Sequence, residues 1–399
     1  MKSIYLDNAA TSFPKPPAVA EKMVEYITHI GSNVNRGSYE SAYEAEETVF
    51  ETRTLLKELF NGPDEKNVIF TSGITLSLNM VLKGLLKKGD HAIVCPLPHN
   101  AVMRPLRQLE KDGVEVSMAE LSDSADEGEP KEVVGSSENG VFFKPSSLEK
   151  LIRNNTKAIV MTHGSNVSGK VFPITEVGEL CRKHGLFFIV DSAQTAGVCE
   201  IDMKRDHIDA LCFTGHKGLM GPQGIGGFIL SDPIVSEISP LISGGTGSIS
   251  HLEDVPDFLP DRFEPGTPNL PGIFGLWAGL TFIKETGIAV IREKEERLAR
   301  LFTSQLETVG GLKVIGHEEN YPYTGVVSVV IKDHDPAEVS AKLESEYCIK
   351  TRVGLHCSPS AHKALGTYPL GTVRFSFGFF NTEEDVICAA EALKEILQD

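Results

Sequence analysis

The chain has 399 residues, 41% hydrophobic and 23% charged, the composition of a folded globular protein rather than a linker. Its formal net charge of -17 repels phosphate backbones and anionic headgroups, so neither nucleic acid nor a membrane is an expected partner. The opening MKSIYLDNAATSFPKP turns polar too early for a signal peptide, and no run reaches the ~18 apolar residues of a membrane span, so the cytoplasm is the expected location.

A chain of this length outgrows a single core. The expected division is a large domain over 15–260 and a small one over 261–399, which also takes in 1–14. Seven cysteines form an odd set with no CxxC pair, which argues for reduced thiols. Cys95, Cys199, Cys212 and Cys388 sit among apolar neighbours and are expected to be buried.

Between residues 65 and 230, short apolar runs alternate with helix-like stretches. The runs are Asn67–Phe70, His91–Cys95, Ala158–Met161, Leu186–Val190, Leu211–Phe213 and Gly227–Leu230, with helical patterns such as Leu76–Leu86 and Ala101–Lys111 between them. That alternation predicts an α/β fold with a mostly parallel sheet flanked by helices. The acidic, Ser- and Gly-rich segment 121–140 reads as a surface excursion with one short hairpin. A long helical pattern from Ile273 to about Val309, broken near Gly287, leads into the small domain. There TGVVSVVI, PAEVSAKLESEY, TVRFSFG and a closing helix over Glu383–Leu397 predict an α+β unit.

Open α/β sheets bind ligands beyond the carboxyl ends of their strands, so the residues after each apolar run matter most. Phe70 is followed by the turn Thr71-Ser72-Gly73-Ile74-Thr75, Cys95 by His99, and Met161 by Thr162, His163 and Asn166. Asp191 and Gln194 follow Val190; Thr214, His216 and Lys217 follow Phe213. Taken singly, each is an ordinary cap or turn former. Together on one rim they describe a site. A glycine turn opening a helix at Gly73–Thr75 suits a phosphate. A carboxylate at Asp191 suits a pyridine nitrogen, because it keeps the ring protonated and electron-withdrawing. A lysine at 217, shielded from water beside positive charge, suits attack on an aldehyde. The glycines of GPQGIGG imitate a dinucleotide fingerprint, but they precede a strand-like run, so a hairpin or close backbone approach is expected there.

The motifs YLDNAATSFPKP, TSGIT, SNVSG, VDSAQ, TGHKGLMGPQGIG, FEPGTPN and RVGLHCSP, with TVRFSFGFFNT, resemble in order those of the cysteine desulfurases among the class V aminotransferases. The resemblance spans nearly the whole chain and lies on the branch that includes sulfur-mobilising desulfurases and selenocysteine lyases. It implies a fold-type I enzyme dependent on pyridoxal 5'-phosphate, with a large domain built on a mostly parallel seven-stranded sheet and a small α+β C-terminal domain. It also implies a homodimer. In that pattern Lys217 bonds the cofactor as a Schiff base, Asp191 pairs with the ring nitrogen, Gln194 bonds the ring hydroxyl and His99 stacks on the ring. Gly73, Ile74, Thr75, Thr214 and His216 hold the phosphate, joined by Thr267 of a neighbouring subunit. Asn166 and Arg374 take the substrate carboxylate, Arg352 supports the active-site loop, and Cys357 attacks the substrate sulfur.

The implied reaction converts L-cysteine to L-alanine and leaves the sulfur on Cys357 as a persulfide, with a sulfur-acceptor protein as a further partner. L-Selenocysteine is the alternative substrate, and an aminotransferase or epimerase that does not need Cys357 is the alternative enzyme. A reactive cysteine needs nearby positive charge, and Arg352 and His356 lie close in sequence. A metal centre at His356, Cys357 and His362 lacks a fourth ligand, so no metal is expected.

Overall fold

The computed structural model describes residues 3–34, 37–123, 141–249, 251, 253–307, 309–317 and 321–398. Its principal sheet has seven strands: β1 (Val68–Thr71), β2 (His91–Val94), β3 (Glu115–Met118), β4 (Thr156–Thr162), β5 (Phe187–Asp191), β6 (Ala210–Thr214) and β7 (Gly226–Leu230). Their spatial order is β1-β7-β6-β5-β4-β2-β3. β7 runs antiparallel to both of its neighbours, and the other pairs are parallel.

Parallel strands covered on both faces read as unbroken apolar runs. In β6, Leu211 and Phe213 enter one core and Ala210 and Cys212 the other. The edge strand β3 is half-exposed and reads EVSM, so it lacks the apolar run that revealed its neighbours. Gly226 and Gly227 make the close approach expected of their motif. A Cβ on Gly226 would lie 2.7 Å from the Cα of Gly73, and one on Gly227 would lie 2.3 Å from the carbonyl oxygen of Ile69.

The helices that matter for the site are α1 (Ile74–Leu85) and α2 (Asn100–Lys111), which start at the carboxyl ends of β1 and β2. The long helical stretch is two helices, α3 (Leu270–Thr286) and α4 (Ile288–Leu306), which meet at 85° where Gly287 has φ +86°. No single helix among the described residues is long and apolar enough to cross a membrane.

Beyond α4 lies a four-stranded antiparallel sheet of β8 (Leu312–Val314), β9 (Val326–Ile331), β10 (Arg352–Gly354) and β11 (Thr372–Ser376), ordered β8-β9-β11-β10. Helix α5 (Pro336–Tyr347) and the closing α6 (Glu383–Ile396) cover it. Ile4 and Leu6 join this core, and Ile4–Tyr5 pairs in parallel with Ile349–Lys350, so the N-terminus packs with the C-terminal unit. The apolar residues of α3 pack instead with the large sheet. We propose these two cores as the two domains, which places the junction at Gly287 rather than at residue 261.

Ser122–Asp123 and Val141–Phe142 pair antiparallel, while residues 124–140 of the acidic segment lie outside the described residues. Cys95, Cys199 and Cys212 are buried as expected, but Cys388 is exposed. The error has a helical cause. Val386, Ala389, Ala390 and Leu393 face the core, and Cys388 sits on the opposite side of α6 although it is next to them in sequence.

Candidate functional site

Five strands of the large sheet, β1, β2, β4, β5 and β6, and the loops that follow them bring the predicted residues to one rim. At the end of β1, Gly73 caps α1 with a positive φ that favours glycine (φ 151°, ψ 169°), and Thr71 braces the turn by hydrogen bonds with Gly73 and Ser77. The N–H groups of Ile74 and Thr75 stand at the open end of this helix, where an anion is favoured. A Cβ on Gly73 would lie 3.7 Å from Thr214 Oγ1, so the end of β6 borders the same turn.

Asp191, at the end of β5, is buried, and its carboxylate accepts from the Ala193 N–H at 3.0 Å and the Thr162 hydroxyl at 3.4 Å. Burial raises its pKa; those two bonds and the charge of Lys217 oppose the rise. Among the described residues it forms no salt bridge, so a buried carboxylate here calls for a cation to be supplied. Gln194, three residues on, donates to the Ala9 carbonyl at 3.0 Å.

Lys217 is half-buried in the turn after β6. Burial and the charge of Arg374 bring its pKa down to about 8, against the opposing pull of Asp191. The neighbouring His216 imidazole is pushed down to about 4 by burial and by Lys217 and Lys15, and its Nδ1 is buried without a partner among the described residues. The His216 carbonyl, by contrast, accepts from Lys15 Nζ at 2.7 Å and Thr11 Oγ1 at 3.0 Å, which binds the N-terminal segment to the lysine turn.

His99 caps α2: its Nδ1 accepts from the Ala101 N–H at 3.0 Å, so the ring's proton sits on Nε2. Burial pushes it down to about 4, with Lys217 and Arg374 adding to the effect, and the ring is neutral at physiological pH. The next residue, Asn100, donates its N–H to the Cys357 carbonyl at 2.9 Å. Cys357 is exposed, and both it and His356 adopt left-handed backbone (φ +59° and +47°). Asn166 holds this bend from β4's side, donating from Nδ2 to the His356 carbonyl at 2.7 Å and accepting from the Ser358 hydroxyl at 2.7 Å.

Arg374 on β11 is buried, donating to the Asn166 carbonyl at 3.1 Å and to Asp7 at 2.8 Å, while its Nε has no partner among the described residues. Asp7 also pairs with Arg352 at 3.5 Å.

Every predicted site residue but one thus lies on this rim or is bonded to it. Thr267 is exposed and lines a separate cavity of ≈590 Å³ beside Thr71 and Ser72. Charge is also supplied differently from the sequence expectation. The His356 ring is turned inward to Thr372 at 2.9 Å, and burial lowers its pKa far enough to keep it neutral, so it gives Cys357 no positive charge. Asp7 and Ser358 were missed. Asp7 lies inside the YLDNAATSFPKP motif with no strand-end position to mark it, and Ser358 sits in RVGLHCSP next to the more conspicuous cysteine.

The donor set fits pyridoxal phosphate. Lys217 offers an amine that loses its proton near pH 8. Asp191 offers a buried carboxylate without its own cation, and the Gly73 turn, Thr214 and the unpartnered His216 Nδ1 suit an anion.

The model of the aminotransferase class V family matches residues 4–387. A probable cysteine desulfurase of Pyrococcus abyssi is 33% identical over 403 residues, covering 99% of this chain and 94% of that protein. One from Methanothermobacter thermautotrophicus is 31% identical, covering 98% and 94%. Among solved structures, the apo cysteine desulfurase of Thermococcus onnurineus NA1 has a TM-score of 0.86 at 32% identity, covering 99% of this chain and 95% of that one.

Proposed function

Since the chain belongs to the class V aminotransferase family, on its cysteine desulfurase branch, we propose that it is a pyridoxal phosphate-dependent cysteine desulfurase that converts L-cysteine to L-alanine. The observation that carries the assignment of roles is the 2.9 Å bond from the N–H of Asn100 to the carbonyl of Cys357. It fastens the exposed thiol to the helix end capped by His99, on the rim that bears Lys217.

When bound, the cofactor supplies an electron sink that acidifies the substrate's Cα–H and loosens its sulfur. Asp191 provides the negative charge that keeps the ring nitrogen protonated. Arg374 docks the substrate carboxylate through its unpartnered Nε, because a guanidinium matches a carboxylate in plane and charge. Lys217 takes the Cα proton, a role its lowered pKa permits near neutral pH. His99 holds a proton on Nε2 and would offer it to the substrate.

The Cys357 thiolate then attacks the substrate sulfur. An S–S bond forms, the C–S bond breaks, and its electron pair stays with the carbon skeleton, which takes up a proton and leaves as alanine. The persulfide on Cys357 passes to an acceptor protein. The same reading makes this a cytoplasmic homodimer in which Thr267 completes the neighbouring subunit's phosphate site.

The test is product analysis with L-cysteine and a thiol reductant. Equal amounts of alanine and sulfide are expected, and alanine without sulfide, or neither product, would overturn the reading. Running L-selenocysteine in parallel decides which chalcogen is preferred.

A further inference from the structure

The motif YLDNAATSFPKP has a residue that the desulfurase reaction, as set out above, does not use. The negative charge of Asp7 acts on Lys217 alongside that of Asp191, and Asp7 touches two arginines at once: Arg374 at 2.8 Å and Arg352 at 3.5 Å. Its backbone is fixed, with the carbonyl accepting from Tyr5 Oη at 3.2 Å and the residue bridging in parallel to Ser376 on β11.

Arg374 is almost wholly buried, at 2% exposure. Of its donors, one nitrogen is spent on the Asn166 carbonyl and another on Asp7, while Nε is buried and unpartnered. A buried guanidinium with a free donor needs an acceptor, and leaving such a donor unmet is costly. Asp7 therefore does two separable things. It fixes the plane of the guanidinium and leaves Nε without a protein partner, and it neutralises part of the positive charge of the arginine pair before any ligand arrives.

We propose that Asp7 is a positioning residue that sets the affinity of the site for the substrate α-carboxylate: its geometry orients Arg374, and its charge weakens the pull of Arg374 and Arg352 on an incoming anion. This rests on the reading that Arg374 receives the substrate carboxylate. The partial neutralisation lets a monoanion bind and its product leave, since two uncompensated arginines would retain any carboxylate that entered.

Two substitutions separate aim from charge. Asp7→Asn keeps an oxygen for Arg374 to donate to but removes the charge. Asp7→Ala removes both. The probe is L-alanine, an unreactive carboxylate ligand with respect to sulfur, titrated into the cofactor-loaded enzyme by calorimetry, with KM for L-cysteine and melting temperature measured alongside. Asp7→Asn should bind L-alanine several-fold more tightly and lower KM. Asp7→Ala should bind it about tenfold more weakly and raise KM, with kcat moving less than KM in both.

If Asn and Ala shift the affinity in the same direction, or neither shifts it, the proposal falls. Arg374→Ala serves as the control for the reading beneath it. If that variant binds L-alanine normally, then Arg374 is not the carboxylate site. If it binds poorly while both Asp7 variants bind as wild type, the role of Asp7 alone is wrong.

Discussion

The lysine rim and the cysteine bend hold reactive groups by different means. Asp191 and Lys217 stand at or just beyond the ends of parallel strands whose residues are buried on both faces, so the sheet itself sets their positions. Cys357 belongs to no strand. It sits in two successive left-handed residues, held by the amide of Asn166, the hydroxyl of Ser358 and the N–H of Asn100, each from a different stretch of chain. A fixed cofactor site needs rigidity within one sheet. On the proposed mechanism the thiol receives a sulfur atom and then presents it outward, which needs a tethered but exposed position, and cross-element bonds allow that.

The largest expected effect comes from removing the sheet-held nucleophile. Lys217→Ala should abolish both turnover and the visible absorbance of the covalently bound cofactor. Retained covalent labelling after borohydride reduction would place the linkage elsewhere.

Next, Cys357→Ser should bring sulfide release to near background while cofactor binding and the spectral response to L-cysteine remain, because a hydroxyl is a far weaker nucleophile toward sulfur. That outcome would show the two regions as separable. Wild-type desulfuration by this variant would break the comparison.

Asp191→Ala should keep the fold and lose turnover by about a hundredfold or more, the scale of a removed electrostatic partner. Circular dichroism and single-turnover rates check both halves.

The pH dependence of cofactor loading follows from Lys217. Its pKa is lowered to about 8, so the reactive free amine is scarce below that pH and abundant above it. The rate at which cofactor-free enzyme takes up pyridoxal phosphate should therefore rise as pH increases through about 8 and then level off; a flat profile from pH 6 to 9 would contradict the placement of Lys217.

The smallest effect tests the tether. Ser358→Ala leaves Asn166 Oδ1 without its buried donor and should cost about 1–2 kcal/mol of stability. It should also change the rate at which iodoacetamide alkylates Cys357 while leaving cofactor absorbance unaltered. An unchanged alkylation rate would mean the bend holds without Ser358.

The two regions were also unequally legible in the sequence. Unbroken apolar runs announce buried parallel strands, and the residues after them fall at the rim by topology alone, so Gly73, Asp191, Thr214 and Lys217 could be read from pattern and spacing. The break at Gly287 was equally plain. The cysteine bend offered no such period. That His356 turns inward, that Asn166 spends its amide on residues 356 and 358, and that Asp7 reaches Arg374 all depend on contacts between residues far apart in sequence. Cys388 shows the complementary failure, where apolar neighbours in sequence were not neighbours in space.

The most direct test of the central claim is peptide mass spectrometry of the cofactor-loaded enzyme after reaction with L-cysteine in the absence of reductant. The persulfide mechanism predicts a gain of one sulfur atom on the peptide containing Cys357, removable by a thiol, and none on Cys348 or Cys388. Stoichiometric alanine with no added sulfur on Cys357 would contradict it.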